Sequence, residues 1–434
     1  MPAARRRAGR IKRKLGFEKK IYDNVHGYVD ITKNEKLLID TPIFQRLRRI
    51  AQLGLAQYVY PGATHSRFSH CLGAMHAMNR IATSLIDQEI LNFDDLEMLR
   101  LAALLHDIGH YPFSHVLEVT MRRTAGEEGS HENLGEFILR ETSIRDRVLD
   151  ICDPRKIEAL LRGQFRRPLL FQYLVASSLD ADKIDYLQRD SVHTGVAYGA
   201  FDLERLLSCL TVDNPSRPNW LVVTQKGRQA IEDFLLGRFH MFQSVYYHKA
   251  VVAFELMLDR IAEDLISTGR LPNLALIKES TKADERWFAS YEDTYVWDVL
   301  KKNQDGTSVT NELVRRLLSR TSIKLAQEIV SFSTSEPQPL MEILAKETLP
   351  QWLSRRSGVP EAWIFYKEQP RVTFLNPDPD VTVYVEGIDE PKRLVDEEKS
   401  IIKKLWDSQF RTSRVYTRND TSKERIQHAL KGVA

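Results

Sequence analysis

Glu97-Met98-Leu99-Arg100-Leu101-Ala102-Ala103-Leu104-Leu105-His106-Asp107 is the stretch on which the reading of this chain turns. Leu and Ala dominate the run, and Asp94 with Glu97 three residues on has the form of a capping box. A helix apolar over most of its circumference is expected to be buried. It then delivers an imidazole and a carboxylate, side by side, into the interior. Burying such a pair without partners costs several kcal/mol, and a divalent cation satisfies both groups at once. A His-Asp dipeptide taken alone is more often a paired core histidine beside a helix-end carboxylate. The rest of the chain decides between the two.

At 434 residues the chain has room for two or three domains, and 43% hydrophobic with 28% charged residues is a globular composition. A net charge of +3 is too small to argue for a nucleic-acid partner. Cys71, Cys152 and Cys209 have no paired spacing, which points to reduced thiols and a cytoplasmic setting. No apolar run approaches the ~20 residues of a membrane helix. The N-terminus carries Arg5-Arg6-Arg7, Arg10 and Lys12-Arg13-Lys14 without the apolar segment of a signal peptide, so residues 1–19 read as a solvated tail. A weak nucleic-acid contact is the alternative for that tail.

Thr41-Pro42 opens a helix with the stripe Ile43, Leu47, Ile50 and Leu53, ended by Gly54. An extended piece is expected at 57–60, and a helix from His65-Ser66-Arg67-Phe68-Ser69-His70 to about Asp87. The segment from His110 to His115 continues toward Glu118, 127–130 forms a polar loop, and His131-Glu132 begins another helix. Residues 171–190 read as one helix, 206–212 and 220–224 as a strand pair, and 228–268 as one long helical region. Beyond about residue 270 the pattern weakens. Gln338-Pro339 and Asn376-Pro377-Asp378-Pro379 punctuate it, short strands are expected at 362–366, 381–385 and 413–416, and a last helix at 397–406. The domain reading is a tail at 1–19, a helical domain at 20–270 and a smaller α+β region at 271–434.

His70, His106-Asp107 and Asp182 together follow the H…HD…D signature and resemble the HD-domain metal-dependent phosphohydrolases. Gln52-Leu53-Gly54, the His65–His70 run, the His106–His115 run, His131-Glu132 and Asp182-Lys183-Ile184-Asp185-Tyr186 are similar to the deoxynucleoside triphosphate triphosphohydrolase branch. The resemblance covers roughly residues 20 to 265. It implies a mostly α fold: a helical HD core with a short β-hairpin and a smaller α+β C-terminal region. Two imidazoles and two carboxylates suit Mn, Fe, Mg, Zn or Co with positions left for water and phosphate. By resemblance those ligands are His70, His106, Asp107 and Asp182.

His115 and Glu118, three residues apart, can meet on a helix, and a carboxylate beside an imidazole suits a general acid. Animal members of the branch have Asp where this chain has Glu118. By resemblance His110 and His131 face the phosphates, with Glu132 accompanying His131. Asp182, Tyr186, Arg189 and Asp190 share one helix face, a poor apolar core but a good pocket wall. Arg189 reads as a structural salt-bridge partner. The resemblance assigns phosphate contacts to Arg67, Lys183 and Arg238. It sets Tyr186 and Leu53 by the nucleoside, Gln52 with Asp190 at the sugar 3′-hydroxyl, and Tyr246 against the 2′ position. It also matches Asp40, Gln45 and Arg48 to residues that read an activating guanine nucleotide, GTP or a dNTP, between subunits of a dimer or tetramer. The expected activity is hydrolysis of a dNTP to deoxynucleoside and triphosphate. The alternative is an HD phosphodiesterase or nuclease acting on another nucleotide or on single-stranded nucleic acid.

Overall fold

The computed structural model describes residues 15–165, 168–331, 348–368, 382–388, 390–405 and 411–431. A hairpin of β1 (Phe17–Asp23) and β2 (Gly27–Thr32) comes first, followed in chain order by the helices that build the site. These are α1 (Arg67–Asp87), α2 (Phe93–Leu105), α3 (His115–Ala125), α4 (His131–Glu141) and α5 (Ala181–Thr194). Then come α6 (Arg228–Met241), α7 (Lys249–Ser267) and α8 (Asp293–Lys302). The described residues are mostly helical, as expected. None of their helices is long and apolar enough to cross a membrane.

Helix α2 is buried all round, from Leu96 to Leu105, and packs against α1. Its cap lies two residues earlier than the sequence suggested. The Asn92 side chain accepts the backbone N–H groups of Asp94 and Asp95, and Asp95 returns the bond to the Asn92 N–H. Asp94 and Glu97 are therefore not the capping box. Arg100, the one cation inside this helix, is buried and fully met: Glu35 takes its Nε at 2.7 Å, Asn79 its Nη1 and the Asp30 carbonyl its Nη2. A buried charge is tolerable when each donor is matched in this way.

Several long elements of the sequence reading are broken in the fold. Thr41 caps a helix as expected, but only Pro42–Gln45 is α-helical, and Arg46–Arg49 tightens into a 3-10 turn. Residues 57–60 are not extended, because Gly54–Tyr58 is another 3-10 turn. The helix expected over 171–190 is two, Leu169–Val175 and α5, since Asp180 caps α5 by accepting the Lys183 N–H at 2.8 Å. The strand pair shrinks to Leu210–Val212 and Leu221–Val223, and Leu203–Ser208 before it is helical. Residues 228–268 are interrupted by a π-turn, Phe242–Tyr246, between α6 and α7. Single π-turns inside helices recur at functional sites.

In the C-terminal region Lys324–Ser331, Arg411–Thr417 and Ile364–Glu368 form a three-stranded antiparallel sheet with Arg411–Thr417 in the middle. Tyr384–Val385 joins the small sheet of Leu221–Val223 in parallel. The last helix among the described residues is Asp420–Leu430, which the sequence reading missed; the one expected at 397–406 begins only at Ile401 and is helical through Leu405, where the described residues stop. The basic residues through Lys14, Gln338-Pro339 and Asn376–Pro379 lie outside the described residues.

Candidate metal centre and substrate cavity

The loop from His106 to Ser114 leaves the buried end of α2 and crosses over α4. Gly109 permits the crossing, since a Cβ there would come within 2.2 Å of the Gly135 nitrogen and the His131 carbonyl. Phe113 and Ser114 both have φ of +54°, a region that non-glycine residues rarely occupy. Such strain persists only where surrounding contacts impose it. Here the Asp293 carboxylate, at the first residue of α8, accepts the Phe113 N–H at 2.7 Å and the Ala51 N–H at 2.9 Å. The buried Arg46 guanidinium adds bonds to the His110 and Tyr291 carbonyls.

Four residues from three separate stretches converge below this loop. His70 Nε2 lies 3.1 Å from His106 Nε2 and 3.0 Å from Asp182 Oδ1. The Asp107 carboxylate lies 3.6 Å from His70 Nε2 and 3.3 Å from His106 Nε2. Both imidazoles are held from behind, His106 Nδ1 by the Ala103 carbonyl at 2.8 Å and His70 Nδ1 by Asp185 at 2.7 Å. Each thus turns Nε2 inward, the arrangement in which a histidine ligates. Burial disfavours a charged His70, yet hydrogen bonds to Asp182 and Asp185 and the field of Asp107 hold its pKa up to about 10. Burial would raise Asp182, but His106 and His70 hold it well below the carboxylate range. An anionic pocket of converging N and O donors, with two imidazoles oriented from outside, fits a divalent cation.

A second group of His110, His115, Glu118 and His131 also clusters. Glu118 is its hub: Oε2 takes His115 Nδ1 at 3.1 Å and His131 Nδ1 at 3.0 Å, and Oε1 takes Arg122 Nε at 3.0 Å. Burial opposes its ionisation, but the bonds from His115 and His131 keep the carboxyl far below its ordinary range. The His110 and His131 rings are stacked, 3.9 Å apart and 17° from parallel. One donor atom from each of the four lies within 4.8 Å of the others, close enough to hold a cation, although the stacked His110 and His131 rings send their in-plane lone pairs side by side. His115 is largely exposed while Glu118 is buried. His110 sets Nε2 against Asp107 Oδ1 at 3.1 Å, tying this cluster to the first. Glu132 sits at the rim, near Arg122.

Both clusters open on a cavity of about 730 Å³. Its wall carries Gln52, Leu53, Arg67, Lys183, Tyr186, Asp190, Arg238 and Tyr246, all of them expected from the sequence. Arg67 is paired with Asp107 and gives its Nε to Ser114 at 2.8 Å. Lys183 is paired with Asp180 at 2.9 Å. The Arg238 Nε and the Gln52 Oε1 are buried without a protein partner. Asp190 receives Tyr246 Oη and His65 Nε2, each at 2.7 Å.

Arg189 turns away from the cavity. It is buried between Asp185 and Asp23, the structural role expected of it. Asp40, Gln45 and Arg48 lie outside the cavity lining; Arg48 gives its Nε to Gln45 at 2.7 Å and stacks 3.5 Å over Phe68. The sequence reading passed over Asp185, His26, His65, Glu255 and Asp293. For Asp185 a signal existed, a second carboxylate one helical turn after Asp182. His65 heads the His65–His70 run without a role of its own being read from it, and His26, Glu255 and Asp293, far from any motif in sequence, carried no signal.

Comparison with known proteins gives the chain's family and fold relatives. The HD domain family matches residues 67–189, and the family described as HD associated region matches residues 201–432, more than half of the chain. An uncharacterized protein of Methanocaldococcus jannaschii is 39% identical over 242 residues, 56% of this chain and 49% of that protein. A Dictyostelium discoideum protein named deoxynucleoside triphosphate triphosphohydrolase SAMHD1 homolog is 26% identical over 322 residues, 71% of this chain and 60% of that protein. The chain spans about half the length of the curated relatives it matches. A crystal structure of a hypothetical protein from Aquifex aeolicus superposes with a TM-score of 0.75 at 28% identity, covering 95% of this chain and 99% of that one. The chain belongs to the family described as HD associated region, over residues 201–432, joined to an HD domain at residues 67–189.

Proposed function

We propose that the chain hydrolyses deoxynucleoside triphosphates to a deoxynucleoside and inorganic triphosphate. The observation that carries this reading is the shared cavity: His106, Asp107 and Asp182 face the same space as the Asp190–Tyr246 pair, Lys183 and Arg238. Its volume of about 730 Å³ lies within the range of sites that enclose a small ligand. The name of the Dictyostelium relative supports the substrate class.

A divalent cation held by His70, His106, Asp107 and Asp182 would supply polarisation of a phosphoryl oxygen and a more acidic water. The chain's own residues do the rest. Arg238, whose Nε lacks a protein partner, takes a phosphate oxygen, with Arg67 and Lys183 adding positive charge nearby. The unpaired Gln52 Oε1 accepts the sugar 3′-hydroxyl beside Asp190. Tyr246, fixed by Asp190, fills the side of the ribose where a 2′-hydroxyl would sit. Water oxygen bonds to the α-phosphorus as one of its protons passes to solvent, and the bond to the 5′ oxygen breaks. His115, oriented through Nδ1 by Glu118, gives the 5′ oxygen its proton, while His110 and His131 face the phosphates.

Asp40, Gln45 and Arg48 form a surface cluster that, by the family pattern, receives an activating GTP or dNTP between subunits of a dimer or tetramer. Light scattering with and without GTP, and a dATP assay run both ways, test this. An unchanged rate and an unchanged mass would remove it.

Purified protein given each dNTP with Mn or Mg should release intact triphosphate, read by phosphorus NMR. Pyrophosphate release, or no release with any of Mn, Fe, Mg, Zn and Co, would count against the reading. A labelled single-stranded oligonucleotide incubated in parallel tests the nuclease alternative.

A further inference from the structure

The turn of the N-terminal hairpin reaches the back of the metal centre. Asp23 Oδ1 accepts the N–H groups of Val25 and His26 at 3.0 and 2.9 Å, an Asx-type turn that folds the chain back at the end of β1. The turn directs the His26 side chain inward, where it is 3% exposed and stacks on His76. Burial, with the nearby His26, Arg80 and Arg100, holds His76 neutral with a pKa of about 4.

From there a continuous chain of bonds runs to the cation site. His26 Nε2 lies 2.6 Å from Asp185 Oδ1, and Asp185 Oδ2 lies 2.7 Å from His70 Nδ1. Arg189 bonds both Asp185 oxygens at 2.9 Å and is itself clasped by Asp23, from the same turn. Asp185 is fully buried, and among the described residues its carboxylate is oriented by these three donors. Room for the network is built into α1: a Cβ on Gly73 would fall 1.8 Å from Asp185 Oδ1 and 2.4 Å from Arg189 Nη2.

We infer that the hairpin turn belongs to the metal centre, with His26 a positioning residue that fixes Asp185 and, through it, the ring of His70. A ligating histidine depends on the partner at its other nitrogen, and such outer partners change cation affinity by roughly 10–100-fold when removed. His26 stands one bond further out, between the second of these partners and solvent. The inference rests on His70 being a cation ligand.

The test is the affinity of the whole chain for Mn, by calorimetry against a competing chelator, in wild type, His26→Ala, His26→Gln and Tyr28→Ala. Tyr28 lies on the exposed face of the same hairpin, so Tyr28→Ala should bind as wild type does. His26→Ala should bind about 10-fold more weakly. His26→Gln, which keeps a donor toward Asp185, should recover most of that loss. Melting of each metal-free protein shows whether it is folded; if His26→Ala is not, the Gln and Tyr28 arms still decide. Wild-type affinity in His26→Ala, or a Gln variant as weak as the Ala one, overturns the inference and leaves the cation site standing. A wild-type protein that binds no Mn would sink the cation site itself.

Discussion

The carboxylate of Asp293 and the backbone N–H of Phe113 are joined at 2.7 Å across 180 residues of sequence, so the C-terminal half holds the strained loop between His106 and His115. The same carboxylate holds Ala51 N at 2.9 Å, beside Gln52. Asp293→Ala removes two bonds made by a charged acceptor, each worth about 1.5–3 kcal/mol. Some of that is returned because burial already strains the carboxylate, pushing its pKa up to about 6. The expected result is a protein destabilised by about 2–3 kcal/mol in urea titration, with kcat reduced more than KM is changed. Asp293→Asn keeps an acceptor and should lie between.

That relationship shows where the sequence was readable and where it was not. His70, His106, Asp107 and Asp182 each stood in a motif with its own local signature, and the fold brings the four together. Helix α2 was readable because an unbroken apolar run can only be buried. Its cap was misassigned because Asn92 and Asp95 compete for the same role as Asp94 and Glu97, and spacing alone does not choose. Long helices were overextended at 176–180 and at Phe242–Tyr246, where a single side chain or one extra residue per turn breaks the helix without changing the apolar pattern. The supporting residues His26 and Asp293 left no local trace. Each is placed by tertiary contact with a residue more than a hundred positions away.

Removing the cation ligands should abolish hydrolysis and also change stability in a way that does not depend on activity. A ligand that binds only the folded chain stabilises it by about 2.7 kcal/mol at 100 times its Kd. Mn should therefore raise the Tm of the metal-free wild type. His106→Ala with Asp107→Ala should show neither that rise nor any triphosphate release. Chelator should return the wild type to its metal-free Tm, and a rise that persists in the double variant would mean the ion binds elsewhere.

Glu118 connects His115 and His131, so its replacement should act on chemistry more than on binding. Its carboxyl stays ionised throughout the working range, because the His115 and His131 bonds outweigh the cost of burial. Glu118→Gln retains the shape but removes the negative charge that holds His115 Nδ1 and His131 Nδ1. The expected fall in kcat is within the ~10²–10⁴-fold typical of a lost general acid, with KM for the dNTP little changed. His115→Ala should give a similar loss, and the double variant should lose little more, since two residues acting as one unit are not additive. Full additivity in that cycle would mean the pair does not work together.

Glu255 gives the pH dependence of stability its clearest single contribution. It lies on α7 in the cavity wall, where burial pushes its pKa up to about 7 against the weaker pull of Lys367. A folded state that binds a proton more tightly than the unfolded one loses stability as pH rises between the two pKa values. For Glu255 that window runs from 4.5, its ordinary value, to about 7. At pH 5 the wild type keeps most of this proton and Glu255→Gln should be nearly as stable. At pH 8 the wild type carries a partly buried charge that Gln does not, and Glu255→Gln should be the more stable by roughly 1–3 kcal/mol. Paired urea titrations at the two pH values measure the difference. Equal stability differences at pH 5 and pH 8 would show that Glu255 ionises freely in the fold, in contact with water rather than with the cavity wall.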